Sequence, residues 1–178
     1  MSDSTKDIMF AGDPVAFDGV EGRRDSKIGK GRFDLIPEDV FEPLFERVTA
    51  SIESGEPIDV KPMDIMLLIS DNLFLEAIIR MIMYSYCPPD VIDNNMAPVA
   101  YLERCMWVML QDLAIHFQKG AEHYGERNCQ KGIPLWSFKD SAMRHAAQSF
   151  AGEDDEPHKI SVIWNCWLAA WTEMQSAS

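Results

Sequence analysis

The residues able to do chemistry crowd into the last third of a chain of 178 residues. His116, Lys119 and Glu122 are followed by Glu126, Arg127, Asn128 and Lys131, and then by Asp140, Arg144 and His145. Glu153, Asp154, Asp155, Glu156 and His158 come next, and Asn165 lies two helical turns beyond His158. Carboxylate oxygens with one or two imidazoles suit Mg²⁺ or Mn²⁺. Lys and Arg nearby suit phosphate oxygens. A cation held in such a set polarises a phosphoryl oxygen and activates water for in-line attack.

Taken singly, each of these residues has a plainer role. Asp140 can cap a helix with Ser137 at capping-box spacing, and Arg144 can pair with Asp140 at i, i+4 on a solvated face. His145 and His158 can be ordinary partly buried histidines. Glu153 to Glu156 can be a favourable charge cluster at a helix start. Trp164, Trp167 and Trp171 read as core, and Lys119, Arg127 and Lys131 as surface charges. Spacing alone therefore points only weakly to a metal-phosphate site. The sequence has no P-loop, no H-E-x-x-H and no nucleophile elbow.

The elements that must position these groups read as helices. Residues 1–31 sustain no period and are expected to be a flexible segment. Arg32 to Pro37 reads as a short extended stretch, with Pro37 opening a helix through Val40, Leu44 and Val48. After the turn Ser54-Gly55-Glu56-Pro57, one helix is expected from a cap at Asp64 to about Tyr86, stopped by Pro88-Pro89. A loop from Asp90 to Pro98 leads to a long helix from about Val99 to His123. Its stripe of Leu102, Met106, Met109, Leu113, Phe117 and Gly120 steps by three and four. Gly125 ends it. Ser137 starts the next helix, which ends near Gly152, and Pro157 opens the last, carrying Ile160, Ile163, Trp164, Trp167, Leu168 and Trp171. No segment alternates long enough to be a strand. The expected class is all-α, a helical bundle.

Composition bounds the function. The length suits one domain with a real core, and 47% of the residues are hydrophobic. Eleven Met and five Trp fit a helical interior and are compatible with a subunit interface. A formal charge of −13, from 29 acidic and 16 basic residues, argues against a general nucleic-acid surface, which needs Lys/Arg stripes. The apolar run from Met63 to Tyr86 is interrupted by Asp64, Asp71, Asn72, Glu76 and Arg80, so it reads as a buried helix and not a membrane span. Cys87, Cys105, Cys129 and Cys166 form no C-x-x-C and no signal peptide is evident, so they read as free thiols in a reducing, cytoplasmic setting.

Four segments in order resemble the dATP/dGTP diphosphohydrolase family found largely in phages: Arg32 to Pro37, Gly120 to Asn128 continued by Lys131-Gly132, Asp140 to His145, and Gly152 to Asn165. The family is MazZ-like and related to the MazG-type all-α NTP pyrophosphohydrolases. The resemblance implies a single domain over 32–178 with an insertion at about 45–100, and a homo-oligomer, dimer or tetramer. It implies hydrolysis of a purine deoxynucleoside triphosphate, dGTP favoured and dATP possible, to the monophosphate and pyrophosphate, in nucleotide metabolism supporting 2-aminoadenine DNA in the host cytoplasm. The matched positions make Asp140, His145, Glu153, Asp155 and His158 the expected metal ligands, with Asp140, His145, Asp155 and His158 catalytic. Lys119, Arg127, Lys131 and Arg144 would meet phosphate, Trp164 and Asn165 the purine, and Asp34 or Asn128 the base or sugar. Two positions depart from the family pattern: Cys129 stands where Trp is usual, and His123 where Lys is usual. The rival readings are a nucleotide-binding module without turnover and an acidic phage interaction protein.

Overall fold

A computed structural model describes residues 30–177. The expected flexible segment thus lies almost entirely outside the described residues. Among the described residues, six α-helices and one pair of two-residue strands make up the regular structure, joined by short 3-10 turns.

The Arg32–Pro37 segment is not extended. Phe33–Leu35 forms a 3-10 turn, because Arg32 folds back on Asp34 while Leu35 and Ile36 turn inward to the core. Pro37 does not open the first α-helix either. A second 3-10 turn, Glu38–Val40, intervenes, and α1 spans Phe41–Ser54. Pro43 accounts for the shift: its missing N–H is harmless only in the first turn of a helix. Leu44 and Val48 bury one face of α1, and Gly55, at φ 69°, closes it.

Two short strands follow that the sequence pattern did not signal: β1, Ile58–Asp59, pairs antiparallel with β2, Met96–Ala97. The single helix expected over 64–86 is two: α2, Pro62–Ser70, and α3, Phe74–Tyr86. Lys61 precedes α2 and Pro62 fills its first position, so Asp64 sits in the first turn and is not the cap. The break comes at Asn72, which takes a left-handed φ of 61°, while Leu73 N–H donates to Leu68 O over 2.8 Å. This is a Schellman closure. Lys139 secures it by donating to Ser70 O and to Asn72 Oδ1.

α3 is the most buried helix of the first half, with Phe74, Ala77, Ile78, Ile79, Met81, Ile82 and Met83 all inside. A 3-10 turn, Val99–Tyr101, leads into α4, Leu102–Tyr124, whose stripe is buried as its spacing requires. α5 runs over Leu135–Ala151, and α6 over His158–Ala177. Pro134, in an extended conformation, is the N-terminal cap of α5. Ser137 and Asp140 therefore lie inside the helix, and the expected capping box does not form. α5 and α6 form a tight antiparallel hairpin across the loop 152–157, and α3 packs on both α6 and α4. Trp167, fully buried, donates from Nε1 to Pro37 O at 3.1 Å and meets the edge of Phe41 at 5.0 Å. Among the described residues no helix is long and apolar enough to cross a membrane.

Candidate functional site

Three helices bring the imidazoles together. His116 comes from the C-terminal half of α4, His145 from α5, and His158 from the first turn of α6. His145 is 9% exposed and His158 only 2%. Their Nδ1 atoms stand 3.0 Å apart, and His158 Nε2 lies 2.8 Å from Asp155 Oδ1. Arg144 Nη2 approaches His145 Nε2 at 3.4 Å.

These contacts agree in one direction only. His158 Nε2–H donates to the Asp155 carboxylate, so His158 Nδ1 accepts from His145 Nδ1–H, and His145 Nε2 faces the Arg144 guanidinium as an acceptor. Burial, then Arg144 and His158, hold the pKa of His145 below its ordinary value. The hydrogen bond from His158 holds Asp155 below the usual carboxylate range. Burial pushes His116 down to about 4, helped by His145 and Lys119 nearby.

Two groups of donors could hold a cation: His145 with Glu156 and His158, and Glu153 with Asp155 and His158. Within each group the ligand atoms lie within 4.8 Å of one another. Cis ligands of an octahedral ion with bonds of about 2.1 Å sit about 3 Å apart, and trans ligands about 4 Å. Separations of up to 4.8 Å are wider than this, so the exposed carboxylates would draw in to hold a small divalent ion. The carboxylates suit Mg²⁺ or Mn²⁺, and the imidazole favours Mn²⁺ of the two. The loop places them: Gly152, left-handed at φ 82°, ends α5, and Pro157 commits the chain to α6 one residue later. A cavity of about 580 Å³ opens beside the group, lined by Glu153, Glu156, His158, Ser149, Asp112 and Lys159 among others.

A second cavity, of about 210 Å³, lies at the C-terminal end of α4. Leu35, Phe117, Tyr124, Asn128, Cys129 and Trp164 are in its wall. Trp164 joins it to the imidazoles, its ring 5.6 Å from that of His116. Arg32 braces the rim with a bidentate pair to Asp34, at 2.7 and 2.6 Å, and a bond of 2.9 Å to Glu126. Arg127 Nη2 ties the same loop to Asp34 O at 3.0 Å. The strap passes close to α4: Gly31, at φ 77°, lies so near that a Cβ there would stand 2.8 Å from Ala114 Cβ.

Of the expected ligands, His145, Glu153, Asp155 and His158 are brought together. Asp140 is exposed on α5 and belongs to neither donor group. Of the expected substrate contacts, Arg127, Asn128 and Trp164 line the smaller cavity, and Arg144 stands against His145. Lys119 is exposed beside His116, and Lys131 is exposed on the loop. Asn165 is buried and donates to Ser161 O, and the Asp34 carboxylate is engaged by Arg32. The sequence marks His116 and Glu156 among the groups able to do chemistry without giving them a role, and it marks Arg32 and Gly120 only as parts of a motif or stripe. Arg32 opens a recognised motif, but nothing local signals that its partner lies 94 positions away.

The fold and site define an all-α bundle with an imidazole–carboxylate cluster beside an acidic cavity, and a second, more apolar cavity at the end of α4. The profile of the family described as "dATP/dGTP diphosphohydrolase, N-terminal" matches residues 91–178, which hold α4 to α6 and the whole cluster. The chain belongs to this family, and is an enzyme of the nucleoside triphosphate diphosphohydrolase class. Among curated proteins and solved structures no similar chain is found.

Proposed function

We propose that the protein hydrolyses a purine deoxynucleoside triphosphate, dGTP in preference to dATP, to the monophosphate and pyrophosphate, with Mg²⁺ or Mn²⁺. The observation that carries this reading is the convergence of His145, His158, Asp155, Glu153 and Glu156 beside a cavity of nucleotide scale. Glu153, Asp155 and His158 would hold the ion, leaving Glu156 free beside His145. When bound, the ion supplies charge for the phosphate oxygens and lowers the pKa of a coordinated water.

The chain's own groups do the rest. Arg144 orients His145, which orients His158, and the His158 Nε2 proton that engages Asp155 would leave when these two residues take the ion. Lys119, Arg127, Lys131 and Arg144 offset phosphate charge as it gathers. Water attacks the α-phosphorus, the bond to the bridging oxygen breaks, and pyrophosphate leaves in line. Glu156, exposed and 3.9 Å from His145 Nδ1, is placed to take the proton of that water. Asn128 and Trp164 would flank the purine.

The resemblance to phage enzymes supports a role in the host cytoplasm, in nucleotide metabolism serving 2-aminoadenine DNA. Exposed Met63, Leu67 and Trp136 support assembly into a dimer or tetramer, which light scattering would size. The decisive experiment incubates the protein with each deoxynucleoside triphosphate and Mn²⁺ or Mg²⁺ and separates the products. Monophosphate with pyrophosphate, lost on adding a chelator, is the expected result. Tight metal-dependent binding without turnover would instead identify a binding module, and no interaction with any nucleotide would sink the reading.

A further inference from the structure

The smaller cavity carries two features that the fold itself does not use. Gly120 stands inside α4, four residues before its end, and lines the cavity. A Cβ added there would meet no atom within 4 Å. Glycine within a helix is less stable than alanine, and at this position no neighbour packs into the space it leaves. What glycine does offer is close approach of a ligand to the helix backbone. The second feature is the indole N–H of Trp164, which is buried without an acceptor. A buried donor left unpaired is unfavourable, and an acceptor brought by a ligand would relieve it.

The wall around these two features is largely aromatic and apolar, from Phe117, Tyr124 and Trp164, with Asn128 offering both a donor and an acceptor and Arg127 a guanidinium. The aromatic part of this lining suits a flat heterocycle carrying acceptor atoms, and Arg127 at the rim is left for phosphate. Trp164 and His116 connect it to the cluster that would take the phosphates.

We propose that this cavity is the nucleobase site, with a purine ring lying flat on the backbone of α4 at Gly120 and accepting a hydrogen bond from Trp164 Nε1. The proposal rests on a nucleotide being the substrate, and deepens that reading. Its test uses the full chain as wild type, Gly120→Ala and Trp164→Phe, titrated with dGMP and separately with inorganic tripolyphosphate and Mn²⁺. Gly120→Ala should raise the thermal midpoint by about 2–4 °C. The same variant should weaken dGMP binding about tenfold or more. Trp164→Phe should weaken dGMP about three- to tenfold. Tripolyphosphate binding should match wild type in both. A structural role alone cannot give this pairing of a firmer fold with a weaker ligand. Unchanged dGMP affinity in Gly120→Ala, or no dGMP binding by the wild type, would overturn the proposal. Failure of the hydrolytic reading would appear separately, as absence of triphosphate turnover by the wild type.

Discussion

The cavity beside His158 and the cavity beside Gly120 share a wall, α6, and little else. The first is lined by four carboxylates, the His158 imidazole and the Lys159 ammonium beside Tyr84, Tyr86 and Ile160, and the second by aromatic and aliphatic groups around Asn128, Trp164 and the Arg127 guanidinium. The first is built largely from an acidic loop and the first turn of α6, where an exposed carboxylate costs little. The second is built into the end of a long core helix, where rigidity holds a flat shape. On the proposed function, the contrast is that between recognising charge and recognising shape. Charge is offset by mobile ions and long side chains, so its residues can be exposed. Shape needs fixed walls, so its residues are tied down, as Arg32 ties Asp34 to Glu126.

The sharpest way to break this division is His158→Asn. It should lower kcat by at least about 100-fold, while dGMP affinity stays within about twofold of wild type. Steady-state turnover and calorimetry would read the two, and a parallel loss of dGMP binding would mean that the cavities are one site.

A smaller effect is expected at the partition. The folded pKa of His116 is pushed down to about 4, below its ordinary 6.5. The unfolded chain therefore takes up the proton first as pH falls, so stability is fully present above about pH 6.5 and is lost towards pH 4. From pH 7 to pH 5 the cost from this group is about 1–2 kcal/mol. Urea midpoints at the two pH values should fall less in His116→Gln than in wild type, and equal slopes would mean that His116 is not held neutral. The smallest effect belongs to Asp140, which lies in neither donor group. Asp140→Asn should leave kcat within about twofold. A loss comparable with that of His158→Asn would restore Asp140 to the ligand set.

Much of this arrangement was legible in the residues. The stripe of α4 and the apolar run of α6 follow the helical period, and both are buried accordingly. Glu153, Asp155 and His158 are near neighbours in the chain, and the turn at Gly152 and Pro157 brings them together. What stayed hidden depends on partners distant in sequence. The break at Asn72 is secured by Lys139 from another helix, and without that contact the run from Met63 to Tyr86 reads as continuous. The strands are two residues long, too short for alternation to register. His116 acquires its meaning from His145 and Trp164, which meet it only after α4, α5 and α6 have packed. Asp140 entered the expected ligand set through a motif match, and it lies on the exposed face of α5 outside both donor groups.

One packing arrangement separates ancestry from autonomy. α3 precedes the part of the chain shared with the family, yet it packs on both α4 and α6, and the indole of Trp167 reaches back to the carbonyl of Pro37. Severing the chain ahead of residue 91 would strip α6 of its apolar neighbour and orphan a buried N–H at its centre. The family match marks the second half, but the packing joins both, so neither piece is expected to fold alone and restoring the candidate site should require the two to be supplied together.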